Sequence, residues 1–239
     1  MSELIISFLT LTILEIVLGI DNIVFISLLV DKLPKEEQRK ARFIGLSAAM
    51  FVRILLLLGI SFVMGLTAPI IEIGAEEISG RDLILIIGGL FLLYKSVSEI
   101  HERFDSSKHD HSISPRRVSF ASIITQIVLL DIVFSLDSVI TAIGMSQEIA
   151  IMVGAVVVAV IFMMIFSKKI SIFIAKHHSI KILALAFLVM IGVLLIAEGF
   201  DQHIPKGYIY FAMAFSIGVE MINIKLDQRY GFVAPEPKD

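Results

Sequence analysis

The chain has 239 residues, of which 57% are hydrophobic and 18% are charged, and it contains no cysteine. Soluble domains average about 45–50% apolar and about 25% charged residues, so this composition predicts an integral membrane protein. The formal net charge of −3 gives no indication of a nucleic-acid partner, and the lack of cysteine excludes disulfide bonds, thiolate metal sites and a cysteine nucleophile.

Seven stretches of about 20 apolar residues are long enough to cross a bilayer. They lie near residues 4–30, 43–66, 82–98, 119–143, 149–167, 181–199 and 207–224. The first stretch follows no basic region and is too long for a signal peptide, so we expect it to be retained as a helix. The pattern therefore predicts an all-α membrane protein with seven transmembrane helices.

The segments between these spans alternate in their content of basic residues. Three hold four or five Lys and Arg residues each, and the other three hold at most one. The basic segments are 31–42, 99–118 and 168–181, and the others are 67–82, 144–150 and 200–206. Because basic segments are retained in the cytoplasm, this alternation predicts an outer N-terminus and an inner C-terminus.

Two of the spans carry the same polar interruption. The sequences are Glu15-Ile-Val-Leu-Gly-Ile-Asp21-Asn22 and Asp131-Ile-Val-Phe-Ser-Leu-Asp137-Ser138. An ionised acid at the centre of a spanning helix costs about 2.5–3.5 kcal/mol, so four acids carry a penalty of about 10 kcal/mol or more before any pairing. Such a penalty indicates a function, and a ligand set made only of oxygen atoms suits hard divalent cations such as Mg²⁺, Ca²⁺ and Mn²⁺.

The two motifs divide the chain into halves of three helices, residues 4–98 and 119–199. Residues 99–118 form a cytoplasmic linker between the halves, and 207–224 form an additional helix. Since the predicted topology reverses the fourth helix relative to the first, the halves constitute an inverted repeat. Such repeats hold their substrate near the middle of the membrane, which predicts a transporter that works by alternating access.

The helical period groups the motif residues into two faces. Residues at i, i+4 and i+7 share one face, which joins Glu15 to Gly19 and Asn22, and Asp131 to Ser135 and Ser138. Asp21 and Asp137 point about 100° away from the last residue of each set. We therefore expect a kink or an unwound turn at Gly19 and Ser135, which would bring the acids of both motifs into one cage.

Three more polar residues of the spans are candidates for the pathway. Arg53 lies in the middle of the second span. It is either a counter-charge that holds the empty site together or a partner in a fixed structural ion pair. The third helices also align, with Gly89-Leu-Phe-Leu-Leu-Tyr-Lys95 against Gly192-Val-Leu-Leu-Ile-Ala-Glu198. Lys95 then either pairs with an acid or ends its helix at the interface, and Glu198 is a candidate for lining the outer mouth of the pathway.

The linker 99–118 carries His101, His109 and His111. We expect it to be a polar connector, with metal capture as the alternative. No nucleotide-binding loop occurs in the chain, so a transporter of this kind would be driven by H⁺ or Na⁺, or by the gradient of its own substrate.

The two motifs and three further runs of residues carry a resemblance to a known family. The runs are Arg53-Ile-Leu-Leu-Leu-Leu-Gly59, Gly88-Gly-Leu-Phe-Leu-Leu-Tyr-Lys95, and Ala197-Glu-Gly-Phe200 through Ile204-Pro-Lys-Gly-Tyr-Ile-Tyr210. Over residues 4–224 the sequence resembles the TerC family of integral membrane proteins, which lies near the LysE exporter superfamily and is associated with tellurite resistance and manganese efflux. The resemblance implies a transport site at Glu15, Asp21, Asn22, Asp131, Asp137 and Ser138.

We therefore expect a multi-pass protein of the bacterial inner membrane that exports a divalent cation, Mn²⁺ before others, and holds no prosthetic group. One alternative is an assembly or maturation factor that acts through helix contacts, and another is an exporter of a different small substrate. An enzyme is not expected, because the His-Glu-x-x-His and Gly-x-Ser-x-Gly motifs do not occur. The sequence leaves the ion, the coupling ion and the oligomeric state open.

Overall fold

A computed structural model describes residues 2–73, 76–106, 118–145, 148–202 and 204–230. Its elements in chain order are α1 (Ser2–Val30), α2 (Lys35–Leu58), α3 (Ile60–Gly65), β1 (Pro69–Ile73), β2 (Glu76–Ser79), α4 (Gly80–Ser106), α5 (Phe120–Met145), α6 (Ile149–Lys176), α7 (His178–Glu198) and α8 (Lys206–Tyr230). Every described helix except α3 is long and apolar enough to cross a membrane, which gives seven candidate spans. The prediction of an all-α protein with seven spans is thus confirmed, while its orientation stays a prediction.

The second span differs from its predicted bounds at both ends. α2 begins at Lys35, directly after Pro34, and the acidic Glu36 and Glu37 in its first turn favour this start because they face the positive end of the helix dipole. It ends at Leu58, because the ψ of 28° at the following Gly59 leaves the helical range. The stretch predicted as one helix over 43–66 is therefore divided between α2 and the short α3.

The predicted unwound turn in the motif helices is wrong, while a kink there stays a prediction. α1 and α5 run without interruption through Gly19 and Ser135. Gly19 instead makes room for α6, since a Cβ atom there would lie 2.5 Å from the sulfur of Met163. Ser135 stays in the helix because its hydroxyl hydrogen-bonds to two buried side chains, Arg53 and Asp131.

The long helices pack in pairs that join the two predicted halves. α1 packs against α6, α2 against α5, and α4 along α7. α4 and α7 approach each other closely at the aligned Gly89 and Gly192, where an added Cβ on Gly89 would lie 2.6 Å from the carbonyl oxygen of Gly192. A two-fold relation that maps α1 onto α5 and α2 onto α6 turns the pair of α1 and α6 into the pair of α5 and α2. It also requires α4 to pack against its own equivalent, α7, at aligned residues, and the observed pairs have this arrangement. α8 packs on α7, outside these pairs.

One end of the bundle is formed by the last turn of α7 and the first turns of α4 and α8, and we call it the outer end after the predicted orientation. α7 closes with the amide of Gln202 donating to the carbonyl of Ala197 at 2.9 Å, across Asp201 with its positive φ of 55°. Such a turn, with a left-handed residue just after the last helical turn, is a common end of helices. It fixes Glu198 at the end of α7 and returns the chain to Lys206 at the start of α8.

The opposite end, called the inner end, is tied together by ion pairs on the membrane boundary. Lys32 pairs with Glu99 of α4, and Lys181 of α7 pairs with Asp31. In the predicted connector 99–118, residues 99–106, including His101, continue α4, and His109 and His111 lie outside the described residues. Its role in metal capture therefore stays a prediction.

Candidate functional site

Arg53 brings the two acidic motifs together in the interior of the protein. The residue is only 3% exposed, although it lies on a membrane-spanning helix. Its Nη1 donates to Glu15 of α1, and its Nη2 donates to Oδ1 of Asp131 in α5 at 3.0 Å. The remaining donor, Nε, reaches the hydroxyl of Ser135 at 2.9 Å. One guanidinium from α2 thus connects acids from both predicted halves.

Asp131 is the most heavily bonded acid of this group. Besides the arginine, Asn22 donates through Nδ2 to its Oδ1 at 2.9 Å, and Ser135 donates to its Oδ2 at 3.0 Å. All of these side chains are buried. We call Glu15, Asn22, Arg53, Asp131 and Ser135 the arginine cluster. It contains two acids and one base, so ionisation of all three leaves a net charge of −1.

Asp137 belongs to a second group at the outer end. Its Oδ1 accepts from Nη2 of Arg81 at 2.9 Å, and its Oδ2 accepts from the ammonium of Lys206. Lys206 also lies 3.8 Å from Oε1 of Glu198. Arg81 lies next to Asp82, whose carboxylate accepts from the backbone amide just before α4 and so caps its first turn. This network joins α4, α5, α7 and α8.

Asp21 is buried next to the second group, and its surroundings differ from those of the other motif acids. It is 6% exposed, and its Oδ1 has no hydrogen-bond partner among the described residues. The side chain lines a cavity of about 30 Å³ together with Asp137, Ser138 and Lys206. A cavity of this size holds one or two water molecules or a small ion.

Arg53 separates two cavities. The cavity of Asp21 lies on its outer side, and a smaller one of about 10 Å³ lies on its inner side, lined by Asn22 and Asp131. Arg53 itself lines both. A third and wider cavity of about 280 Å³ opens at the outer end beside Arg81 and Asp82. Cavities with charged side chains in their walls therefore lie at the outer end, beside Asp21 and at the arginine cluster.

Comparison with known proteins decides the family. The family model described as "Integral membrane protein TerC family" matches residues 1–230. The chain belongs to the TerC family. A UPF0053 protein of Haemophilus influenzae is 55% identical over 221 residues, which cover 92% of this chain and 93% of the relative. The UPF0053 inner membrane protein YgdQ of Escherichia coli K12 is 54% identical over 90% of both chains.

A longer relative shares the same core. The UPF0053 inner membrane protein YoaE of Escherichia coli K12 is 50% identical over 90% of this chain, which corresponds to 42% of YoaE. No solved structure matches this sequence. The names of these relatives and the seven spans place the TerC-family chain in the inner membrane as a multi-pass protein, as predicted.

The candidate ligands of this TerC-family protein form two groups instead of one cage. Glu15, Asn22 and Asp131 lie in the arginine cluster, whereas Asp21, Asp137 and Ser138 line the outer cavity. Within the described residues, no three His, Cys, Asp or Glu side chains lie close enough to hold a metal ion together. The reason is that basic side chains occupy the space between the acids, so metal binding at these residues stays a prediction.

Lys95 and Glu198, aligned in the sequence, lie in different environments. The ammonium of Lys95 lies 5.9 Å from the ring centre of Phe91, and the side chain lines an inner-end cavity with Lys32 and Glu99. This position agrees with the interpretation of Lys95 as an interfacial residue. Glu198 is buried beside Lys206 and belongs to the outer network.

Sequence reasoning missed Arg81 and Lys206, which bind Asp137. Each lies in the first turn of a helix, so in the sequence it belongs to a connecting segment and gives no signal of burial. One signal is nevertheless present. Each is the single basic residue of a segment that the topology assigns to the outer side, namely 67–82 and 200–206. A lone base where bases are depleted indicates a specific partner.

Proposed function

We propose that this TerC-family protein is a secondary transporter that exports a divalent cation, Mn²⁺ before others, from the cytoplasm by alternating access. The observation that carries the proposal is the arginine cluster. Acids from two separate helices, Glu15 and Asp131, share one buried base, and small cavities lie on both sides of it. A buried charge set flanked by cavities is suited to passing an ion between them.

The charge balance around the two groups favours a cation as the substrate. Three bases, Arg53, Arg81 and Lys206, serve the described buried acids of this region. Those acids are Glu15, Asp21, Asp82, Asp131, Asp137 and Glu198. Because the acids outnumber the bases by three, an anion would be repelled, and a zwitterion such as an amino acid would find few partners for its carboxylate.

Arg53 acts in this proposal as a counter-charge. When no ion is bound, its guanidinium neutralises Glu15 and Asp131. A divalent cation that reaches these carboxylates from the inner cavity replaces the guanidinium, and its departure to the outer side lets the arginine return. Since a buried unpaired charge is strongly unfavourable, the site carries either the cation or the arginine at every stage. This favours exchange over a leak.

The choice of Mn²⁺ depends on ligand chemistry and on the family. Carboxylate, amide and hydroxyl oxygens surround the pathway, and such ligands suit Mg²⁺, Ca²⁺ and Mn²⁺ better than softer metals. The resemblance to manganese-linked TerC members favours Mn²⁺ among these. Coupling to H⁺ or Na⁺ follows from the same carboxylates, because each can exchange a metal ion for a proton or a monovalent ion.

The test is Mn²⁺ flux in proteoliposomes, with the Asp131→Asn variant compared with the wild type. We expect at least about a tenfold loss of rate in this variant, the loss that removal of one charge-assisted bond of about 1.5 kcal/mol would cause. Asp31→Asn is the matched control, since it makes the same change at the inner surface, away from the cavities, and we expect it to keep the wild-type rate.

Three outcomes would count against the proposal. A wild-type protein that carries no divalent cation would refute the transport function itself. Undiminished flux in Asp131→Asn would refute the site. A cellular function that survives Asp131→Asn but is lost on substitution of exposed α8 residues such as Phe211 and Phe215 would favour the assembly factor that acts by helix contacts.

A further inference from the structure

We propose that Asp21 and Asp137 form a second cation site, separate from the arginine cluster, and that the ammonium of Lys206 occupies it as a tethered substitute for the cation. The inference rests on the proposed function in taking the cation to be the exported one. It adds a residue from α8, which lies outside the predicted repeat.

Asp21 is the residue that requires a ligand. Its side chain is buried at the wall of the outer cavity, and its Oδ1 lacks a hydrogen-bond donor among the described residues. A buried carboxylate oxygen without a donor is costly, and nearly all buried polar atoms in native proteins have a partner. The Asp21 side chain lines a cavity that is large enough for an ion, so a ligand that enters this cavity would supply the missing partner.

The other walls of the cavity add oxygen ligands. Asp137 holds one carboxylate oxygen toward Lys206 and the other toward Arg81. The hydroxyl of Ser138 donates to the carbonyl of Ser135 at 3.2 Å, which leaves its lone pairs available to accept. Two carboxylates and a hydroxyl oxygen, from residues next to those of the arginine cluster in α1 and α5, make a hard-cation site.

Lys206 is placed to compete with a bound cation for the carboxylates of this site. Its ammonium binds Asp137, lies 3.8 Å from Glu198, and lines the same cavity as Asp21. The side chain is 29% exposed and extends from the first residue of α8. A lysine head is a compact point charge on a flexible stem, so it can leave the carboxylates for the outer surface and return without movement of the backbone.

Arg81 differs from Lys206 in this respect. Its guanidinium contacts both Asp137 and Asp82, and its side chain is only 18% exposed. Asp137 therefore keeps one base when Lys206 withdraws, and the site stays intact while it exchanges its second cation. In this scheme the returning ammonium displaces a bound metal ion toward the outer side and thus assists its release.

The competition predicts the effect of removing the lysine. A tethered group competes at an effective concentration of about the millimolar range. A charge-assisted hydrogen bond to a buried carboxylate changes an equilibrium by about 10- to 100-fold. Loss of the ammonium in Lys206→Gln should therefore raise the affinity for Mn²⁺ about tenfold or more.

The experiment is a titration of the purified full-length protein in lipid nanodiscs with Mn²⁺ alone, followed by the electron paramagnetic resonance signal of free Mn²⁺. We expect tighter binding in Lys206→Gln and wild-type binding in Lys206→Arg, which keeps the charge. Addition of Asp21→Asn to Lys206→Gln should abolish the gain. Lys181→Gln, which removes a paired lysine at the inner end, is the matched control and should bind as the wild type does.

Two results would overturn the second site: an affinity for Mn²⁺ in Lys206→Gln equal to that of the wild type, or a gain in affinity that persists after Asp21→Asn.

A variant with Lys206→Gln, Glu15→Gln and Asp131→Asn separates this inference from the transport proposal. If this variant still binds Mn²⁺ tightly in an Asp21-dependent manner while the wild type transports none, the second site stands and the transport function fails. If the wild type transports Mn²⁺ and Lys206→Gln shows no gain in affinity, the transport function stands and the second site fails.

Discussion

Replacement of Arg53 by glutamine tests the arginine cluster most directly. The change removes three hydrogen bonds, to Glu15, Asp131 and Ser135, and leaves two buried acids facing each other without a base. Breaking a buried ion pair by removing one partner costs about 3–5 kcal/mol. This corresponds to an increase in the unfolding equilibrium constant of about 100- to 4,000-fold. We expect Arg53→Gln to lower the free energy of unfolding by this amount.

Neutralising the acids should reverse most of the loss. In the triple variant with Arg53→Gln, Glu15→Gln and Asp131→Asn, every member of the cluster is uncharged and can still hydrogen-bond. Replacing both partners of a buried pair is far less costly than removing one. The assay is reversible unfolding in mixed micelles, and the coupling energy is obtained from the cycle of single and multiple variants.

The single variant Arg53→Gln also provides a test of ligand binding. In Arg53→Gln the two carboxylates are free of their base, so a divalent cation has no competitor there. A ligand at 100 times its Kd stabilises a folded protein by about 2.7 kcal/mol. We therefore expect saturating Mn²⁺ to restore much of the stability of Arg53→Gln and to do little for the triple variant. Wild-type stability in Arg53→Gln, or equal Mn²⁺ effects in both variants, would refute this reasoning.

Two smaller changes test the packing and the polar contacts of the helices. Gly89→Ala should destabilise the protein by about 1–3 kcal/mol in a thermal melt, because the new Cβ would lie 2.6 Å from the carbonyl oxygen of Gly192. Gly218→Ala is its control, since a Cβ there meets no atom within 4 Å, and equal melting of both variants would contradict the close crossing. Ser135→Ala should cost about 1–3 kcal/mol of unfolding free energy because Nε of Arg53 loses its buried acceptor; an unchanged value would show that another group accepts from it.

The features predicted from the sequence are those that depend on local composition. Seven apolar stretches mark seven spans, since the bilayer sets a minimum length and penalises every charge within it. The same penalty marks Glu15, Asp21, Asp131 and Asp137 as exceptional residues of their spans. All four are buried. Neither result requires knowledge of how distant helices meet.

The partners of these acids could not be predicted in the same way. Arg53, Asp131 and Ser135 come together from separate helices, and no periodicity within one helix encodes that contact. The predicted break at Gly19 rests on the assumption that the acids need freed carbonyl groups as partners. In the structure, basic side chains and a hydroxyl bind Glu15, Asp131 and Asp137 instead, with both motif helices unbroken.

The distribution of bases gives the repeat its functional asymmetry. Gly19 and Ser135 occupy matching positions in the two motifs, yet the first packs against the uncharged Met163 and the second against Arg53. The acids are thus duplicated, whereas the base beside them is not. Among the described residues, Asp137 at the outer end has two further bases, Arg81 from α4 of the first half and Lys206 from the helix outside the repeat. A fully symmetric repeat would have balanced its charges or left all four acids bare. With Arg53 at the centre and Arg81 and the flexible Lys206 at the outer end, the six described acids still outnumber their bases; in the proposed mechanism a cation neutralises this excess charge, and Arg53 and Lys206 give way to it in turn.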